Sequence, residues 1–294
     1  FTIHAGYLTP LMPGYHLLPR RNIISRPLIR NFCLCLPKRL ILVRHAESVG
    51  NVDERAYETT PDWVMPLTEN GKEQARRLGV ELKQLLKDDK IFIYCSPYKR
   101  SKQTLKRVMK SFEDAEIVDA REDPRLVEQQ FGNIQRLELM SLFKSDRSKF
   151  GRFHYCFPNG ESGLDVYIRV TGFISTLFRD WSKIDPEVLN DMTVLIITHG
   201  LTLRLFLMRW LHYSVEEFEA STNPGNCDFV CLDRYETQDK FNPVRFRLCD
   251  HGHELCNLPR KAAYMKKDGR KNLQRLLQDS KCRDDGYDSG SSSD

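Results

Sequence analysis

The chain has no apolar run approaching the ~20 residues that a membrane-spanning helix needs, which excludes a helical span. It has no disulfide framework either. Its nine cysteines are odd in number and scattered, which excludes a small cross-linked secreted scaffold and points to reduced thiols in a cytoplasmic protein. Acidic residues are missing altogether from residues 1–39, which hold six Lys and Arg, and basic ones from the last eleven, which hold four Asp. Residues 257–283 carry nine bases against two acids. The formal net charge of +5 therefore resides in the tails, leaving residues 40–256 net negative, and no nucleic-acid-binding catalytic domain is implied. Nor is there a metal-ligand framework. The one cluster, CDHGHELC, offers Cys249, His251, His253 and Cys256 at a spacing that fits no common zinc finger or ribbon, so neither a metal nor a cofactor is expected. What is present is ordinary for a water-facing protein, 40% hydrophobic and 29% charged, and 294 residues allow one large α/β domain with tails.

Leu40 to Ser48, LILVRHAES, organises the rest. Leu40, Ile41, Leu42 and Val43 read as a strand buried on both faces, as parallel strands covered by helices are. Arg44 and His45 then sit at its carboxyl end, where ligands bind in an open α/β sheet, so a cation and a titratable imidazole stand at a functional position. A chance Arg-His pair at a strand end is the alternative.

Two more stretches have the same form. Ile91 to Cys95, IFIYC, is a second strand, followed by SPYKRSKQTL, which turns into a helix and carries Arg100 in its first turns. Val194 to Thr198, VLIIT, is a third, ending on His199 and Gly200 before the helix LTLRLFLMRW. If the three strands are neighbours ~5 Å apart, Arg44, His45, Arg100 and His199 converge on one crevice. A lone strand-end histidine is more often structural, but three coincident strand ends argue for a site.

RHAES with Asn51, SPYKRSKQT, RLVEQQFG around Glu128, FPNGES and ITHG occur in that order, and together they resemble the histidine phosphatase superfamily, the phosphoglycerate mutase-like fold. The resemblance covers about Pro37 to Cys249. PKRLILVRHAES, AYETTPDW and VEEFEASTNPGNC are most similar to the plant and fungal branch of broad-range acid phosphatases. It implies a three-layer α/β/α fold with a mostly parallel central sheet. It also implies that Glu128 is the proton donor and that Asn51 contributes an amide to the phosphate. Phosphoglycerate mutases have Glu-Arg where this chain has Glu128-Gln129, and that arginine helps to hold the substrate carboxylate. Ala46 replaces the commoner Gly after the histidine.

Elsewhere the reading is of support. Thr68 caps a helix whose apolar stripe is Ala75, Leu78, Leu82, Leu85 and Leu86. Glu47 to Pro66 reads as a loop bordering the site, and Glu113 to Ser162 as the least regular region, with a short strand at Ile117 and Val118. Gln135 to Asn159 is long enough to form a lid, although its aromatics could equally pack on their own loop. Val166, Val170, Phe173, Ile174, Leu177 and Trp181 mark a core helix. The helix from Leu201 is apolar nearly all round, and its amino end at Gly200 adds N–H groups to the crevice. Ser214 and Glu217 form a capping box, and Phe229–Leu232 and Val244–Leu248 close the sheet at an edge. The domain is expected over 37–256. Residues 1–36 read as a disordered leader or, with arginines and no acids, an organelle-targeting segment in which Cys33 and Cys35 invite acylation. Residues 257–294 read as a disordered basic-then-acidic tail ending in DSGSSSD, a weak phosphorylation motif.

The chemistry that these residues permit is phosphoryl transfer from a small phosphomonoester through a phosphohistidine. His45 is the nucleophile, Arg44 and Arg100 grip the phosphoryl oxygens, and His199, Asn51 and Gly200 complete the cage. Glu128 protonates the leaving oxygen and later activates water. Arginines carry the charge that Mg²⁺ carries elsewhere, so activity in chelator is expected. Two alternatives stay open: mutase-type phosphoryl transfer, and a non-catalytic phosphate-binding module. Oligomeric state and physiological substrate are not legible.

Overall fold

The computed structural model describes residues 36–132, 136–237 and 244–260. The leader but for Leu36, with Cys33 and Cys35, and the tail beyond Arg260, with DSGSSSD, lie outside the described residues. The strands are β1 (Arg39–Arg44), β2 (Lys90–Cys95), β3 (Ile117–Glu122), β4 (Met192–Thr198), β5 (Phe229–Glu236) and β6 (Val244–Leu248). The helices are α1 (Glu69–Leu86), α2 (Lys99–Val108), α3 (Leu137–Phe150), α4 (Gly163–Trp181), α5 (Gly200–Leu211), α6 (Val215–Ala220) and α7 (Asp250–Leu255), with shorter helical turns between them. They form a three-layer α/β/α unit around one sheet of order β3-β2-β4-β1-β5-β6.

Alternation along β1 explains the layering. Leu40 and Leu42 face a core built with α4 and α5, while Ile41 and Val43 face a second core built with α1 and α2. Strands β3, β2, β4 and β1 pair in parallel, and β5 and β6 complete the sheet in antiparallel pairings. Strand β4, buried at every position, is inserted between β1 and β2. That insertion makes the carboxyl ends of the three motif-bearing strands adjacent, with Arg44 opposite Thr198 and Cys95 opposite Ile197.

Caps set the helix starts. Thr68 Oγ1 accepts from Gly71 N at 2.9 Å, and reciprocal capping boxes open α4 (Ser162 and Asp165) and α6 (Ser214 and Glu217). Helix α1 lies so close to the β1–α1 loop that a Cβ on Gly71 would come within 2.0 Å of Glu47 O. Glu47 itself is structural, accepting from Thr68 Oγ1 at 2.6 Å and Asn70 Nδ2 at 3.1 Å.

Two expectations change, and one segment left without an assignment gains one. The irregular region contains the 14-residue helix α3, whose apolar period is broken because Met140 is buried while Leu139, Leu142 and Phe150 are exposed. Arg147 takes over part of the inward face, lying over the rings of Phe131 and Phe157. Leu85 is exposed, at the margin of the α1 stripe. The CDHGHELC segment forms α7, with Cys249 Sγ accepting from Gly252 N at 3.3 Å and Cys256 buried in the core. No cluster of three or more potential metal ligands occurs among the described residues. None of the described helices is long and apolar enough to cross a membrane.

Candidate active site

His45 and His199 face one another at the carboxyl edge of β1 and β4, their ring centroids 5.0 Å apart at an interplanar angle of 63°. Both rings are buried, and the peptide of His45 is pinned by its N–H to Thr198 O at 2.9 Å. The tautomer of His45 follows from its partners. Nδ1 lies 2.7 Å from the Ala46 carbonyl, which only accepts, so Nδ1 carries the proton. Nε2 accepts from Arg100 Nε at 3.1 Å, so its lone pair faces the crevice cation. Burial, followed by the Arg100 charge, holds the pKa of this ring well below 6.5, keeping it neutral.

His199 is the first residue beyond β4 and caps α5. Its Nε2 meets Ser96 Oγ at 2.8 Å and Ser101 Oγ at 3.4 Å; Ser96 Oγ also accepts from Tyr98 N at 3.4 Å, and among its described partners Nε2 is the one acceptor for the hydroxyl hydrogen. Nε2 is then the acceptor and Nδ1 the donor. Nδ1 is buried without a protein partner, the arrangement of a donor reserved for a ligand oxygen. Burial and the Arg100 charge also lower the pKa of His199 well below 6.5, so the ring acts as a neutral donor.

Arg100 enters from the first turn of α2, buried, with its guanidinium stacked on Tyr98 and paired to Asp62 at 2.8 Å. Arg44 Nη1 donates to Pro224 O at 2.6 Å, while its buried Nε has no partner. Asn51 Oδ1 is occupied by Ser48 N (3.0 Å), Ser48 Oγ (3.0 Å) and Asn226 Nδ2 (3.2 Å), so its amide NH2 is the group turned to other partners.

Glu128 sits on the amino end of α5, its oxygens accepting from Leu201 N at 3.2 Å and Thr202 N at 3.3 Å. These N–H groups were expected to serve the phosphate, and the carboxylate takes them instead. Gly200 is packed against Asn223, and a Cβ added there would come within 2.8 Å of that side chain. The segment bearing Glu128 is strapped to α4 by Arg169. Its guanidinium donates to Arg125 O (2.7 Å), Val127 O (2.9 Å) and Glu128 O (3.1 Å), and it pairs with Glu161 at 2.9 Å. Gln129 is buried, donating to Glu161 O at 2.8 Å and accepting from Arg147 Nη1 at 3.3 Å.

The structure thus brings Arg44, His45, Arg100 and His199 together and sets Asn51, Glu128 and Gly200 beside them. Asp62, Ser96, Asn226, Arg169 and Glu161 were not singled out from the sequence. Ser96 could have been, as the residue after β2 at the same strand edge, and Glu161 lies in the quoted FPNGES stretch. Asp62 and Asn226 lie in the quoted AYETTPDW and VEEFEASTNPGNC stretches, which marked the branch without pointing to either side chain.

Comparison with known proteins gives the family. Residues 40–245 match the profile of the histidine phosphatase superfamily (branch 1). The chain is 44% identical over 211 residues to phosphoglycerate mutase-like protein AT74H of Arabidopsis thaliana, covering 67% of this chain and 74% of that one. It is 25% identical over 300 residues to broad-range acid phosphatase DET1 of Saccharomyces cerevisiae, covering 72% and 90%. Among solved structures, a mycobacterial glucosyl-3-phosphoglycerate phosphatase in complex with vanadate superposes with a TM-score of 0.55 at 21% identity, over 72% of this chain and 97% of that one, and shares the fold. From the profile match across most of its length and the relationship to the Arabidopsis protein, the chain belongs to branch 1 of the histidine phosphatase superfamily.

Proposed function

We propose that the protein is a phosphatase that hydrolyses phosphomonoesters through a phosphohistidine on His45. One observation carries this reading: a buried, neutral imidazole whose Nδ1–H is tied to Ala46 O and whose Nε2 lone pair meets Arg100. The Nε2 lone pair attacks phosphorus, forming an N–P bond as the ester O–P bond breaks. Arg100 exchanges its contact with Nε2 for the phosphoryl oxygens, and Arg44, the Asn51 amide and His199 Nδ1–H supply further donors aimed at developing charge. Glu128 in its acid form gives its proton to the leaving oxygen. As carboxylate it takes one from water, whose oxygen displaces His45 and yields inorganic phosphate. The buried Gln129 supports phosphatase over mutase, because the mutase arginine is absent from that position. The odd number and scatter of the nine cysteines support a cytoplasmic setting, which imaging of a tagged chain tests.

The decisive experiment is hydrolysis of an aryl phosphate across pH, with and without chelator. Wild type is expected to turn over in both, His45→Ala to fall to background, and Glu128→Gln to retain activity lowered by about 10²- to 10⁴-fold. Acid-labile, base-stable label on the protein after quenching identifies the phosphohistidine. An inert wild type that still binds phosphate would establish a binding module instead.

A further inference from the structure

Beside Glu128 the crevice opens into a cavity of ≈ 260 Å³ whose wall includes Arg147, Arg152, Arg204, Gln129 and Phe131. Glu128 is the only carboxylate among the described residues lining it, against three guanidinium groups. Arg204 is fully engaged with neutral acceptors: Ser221 Oγ at 2.8 Å, Phe218 O at 2.7 Å and Asn223 Oδ1 at 3.1 Å. Its charge remains uncompensated, and burial lowers its pKa to about 10.

Arg147 and Arg152 differ from it in being available. Arg147 has one side-chain hydrogen bond, to Gln129 Oε1 at 3.3 Å, and is held in place by the faces of Phe131 and Phe157, 5.8 and 5.3 Å from their centroids. No carboxylate lies within ion-pair distance of either arginine among the described residues; Glu219, nearby, accepts from Phe153 N at 2.7 Å. Burial and the neighbouring Arg152 both act against the Arg147 charge. Glu128 and Glu219 act at longer range and offset this in part, leaving the Arg147 pKa lowered; two adjacent, partly desolvated guanidinium groups with no paired carboxylate are unfavourable by themselves, and an anion entering between them removes that penalty.

We propose that this cavity is an anion subsite for the leaving group, and that preferred substrates carry a second anionic group, a carboxylate or a phosphate, close to the scissile ester and held by Arg147 and Arg152. The proposal rests on the phosphatase reading, because it places the leaving group on the Glu128 side of the transferred phosphorus. It assigns helix α3 and the turn after it the task of choosing the substrate.

The test compares phosphoglycolate with 2-hydroxyethyl phosphate, which are nearly isosteric and differ by one carboxylate. Wild type is expected to favour phosphoglycolate in kcat/KM by about 10- to 100-fold, the range of one or two charge-assisted hydrogen bonds. Arg147→Gln and Arg152→Gln are each expected to reduce that ratio at least severalfold, and together to bring it near one. Because the readout is a ratio within each variant, a general loss from disturbed packing cancels. Equal rates on both substrates by wild type, or a preference that survives both substitutions, overturns the subsite while leaving the phosphatase intact. Failure to hydrolyse either substrate overturns the subsite, and the aryl phosphate assay shows whether the phosphatase reading falls with it.

Discussion

Most of the proposed chemistry depends on which nitrogen of each histidine carries the proton, and that is decided by single contacts. The Ala46 carbonyl sets His45, and Ser96 sets His199. Ser96→Ala removes the nearer hydroxyl at His199 Nε2 and leaves that buried nitrogen the longer 3.4 Å contact to Ser101 Oγ, a loss of about 1–3 kcal/mol. The expected result is a fall in kcat of about 10-fold or more with rescue by Ser96→Thr, which keeps the hydroxyl; steady-state kinetics on both variants checks it. Equal loss in the threonine variant would mean that the site senses the volume at position 96 rather than the proton. Residue types were readable here without coordinates, because Arg44, His45, Arg100 and His199 each follow an apolar β-branched run. Asp62, which pairs with Arg100, was not, since its loop carries no period and its partner is 38 residues away.

At the level of elements, the Glu128 segment has no regular hydrogen-bond ladder beyond a short turn and is held by α4 through Arg169 and Glu161. Arg169→Met is expected to displace Glu128 and lower kcat by up to about 10²-fold, with little further loss in a Glu128→Gln background, since two changes acting through one group are not additive. A full additional loss in the double variant would show that Arg169 acts elsewhere. The contact between α1 and the β1–α1 loop gives a second prediction. Gly71→Ala drives a Cβ against Glu47 O, so a destabilisation of about 1–3 kcal/mol in urea unfolding is expected, together with reduced kcat because the same loop carries Ala46 and Asn51. Helix α1 was legible from its stripe and its Thr68 cap. Helix α3 was not, because Arg147 on aromatic faces does part of the work that a leucine would do in a regular stripe.

For the whole molecule, two neutral histidines buried at the centre couple folding to pH. Their folded-state pKa values lie well below the 6.5 of an exposed imidazole, so the unfolded chain binds more protons than the folded one as pH falls past 6.5. Stability is therefore expected to decline on acidification, by up to about 1.4 kcal/mol per pH unit for each ring until its own folded pKa is reached. Urea midpoints at pH 7 and pH 5 in phosphate-free buffer measure this, and the slope should flatten in the His45→Asn, His199→Asn double variant. An unchanged slope would assign the acid sensitivity to other groups. Neutral rings at acid pH also keep the His45 Nε2 lone pair free there.

Local pattern alone determined the strands, the core helices, the caps and the identity of the residues at three strand ends, because burial on both faces and helical periodicity are written into neighbouring residues. Only the tertiary structure decided that β4 is inserted between β1 and β2, which sets two imidazoles 5.0 Å apart, and that Glu128 rests on the amino end of α5. It also decided that Arg147 and Arg152 line a cavity beside that carboxylate. These are contacts between residues distant along the chain, and strand order follows from how the apolar faces pack together.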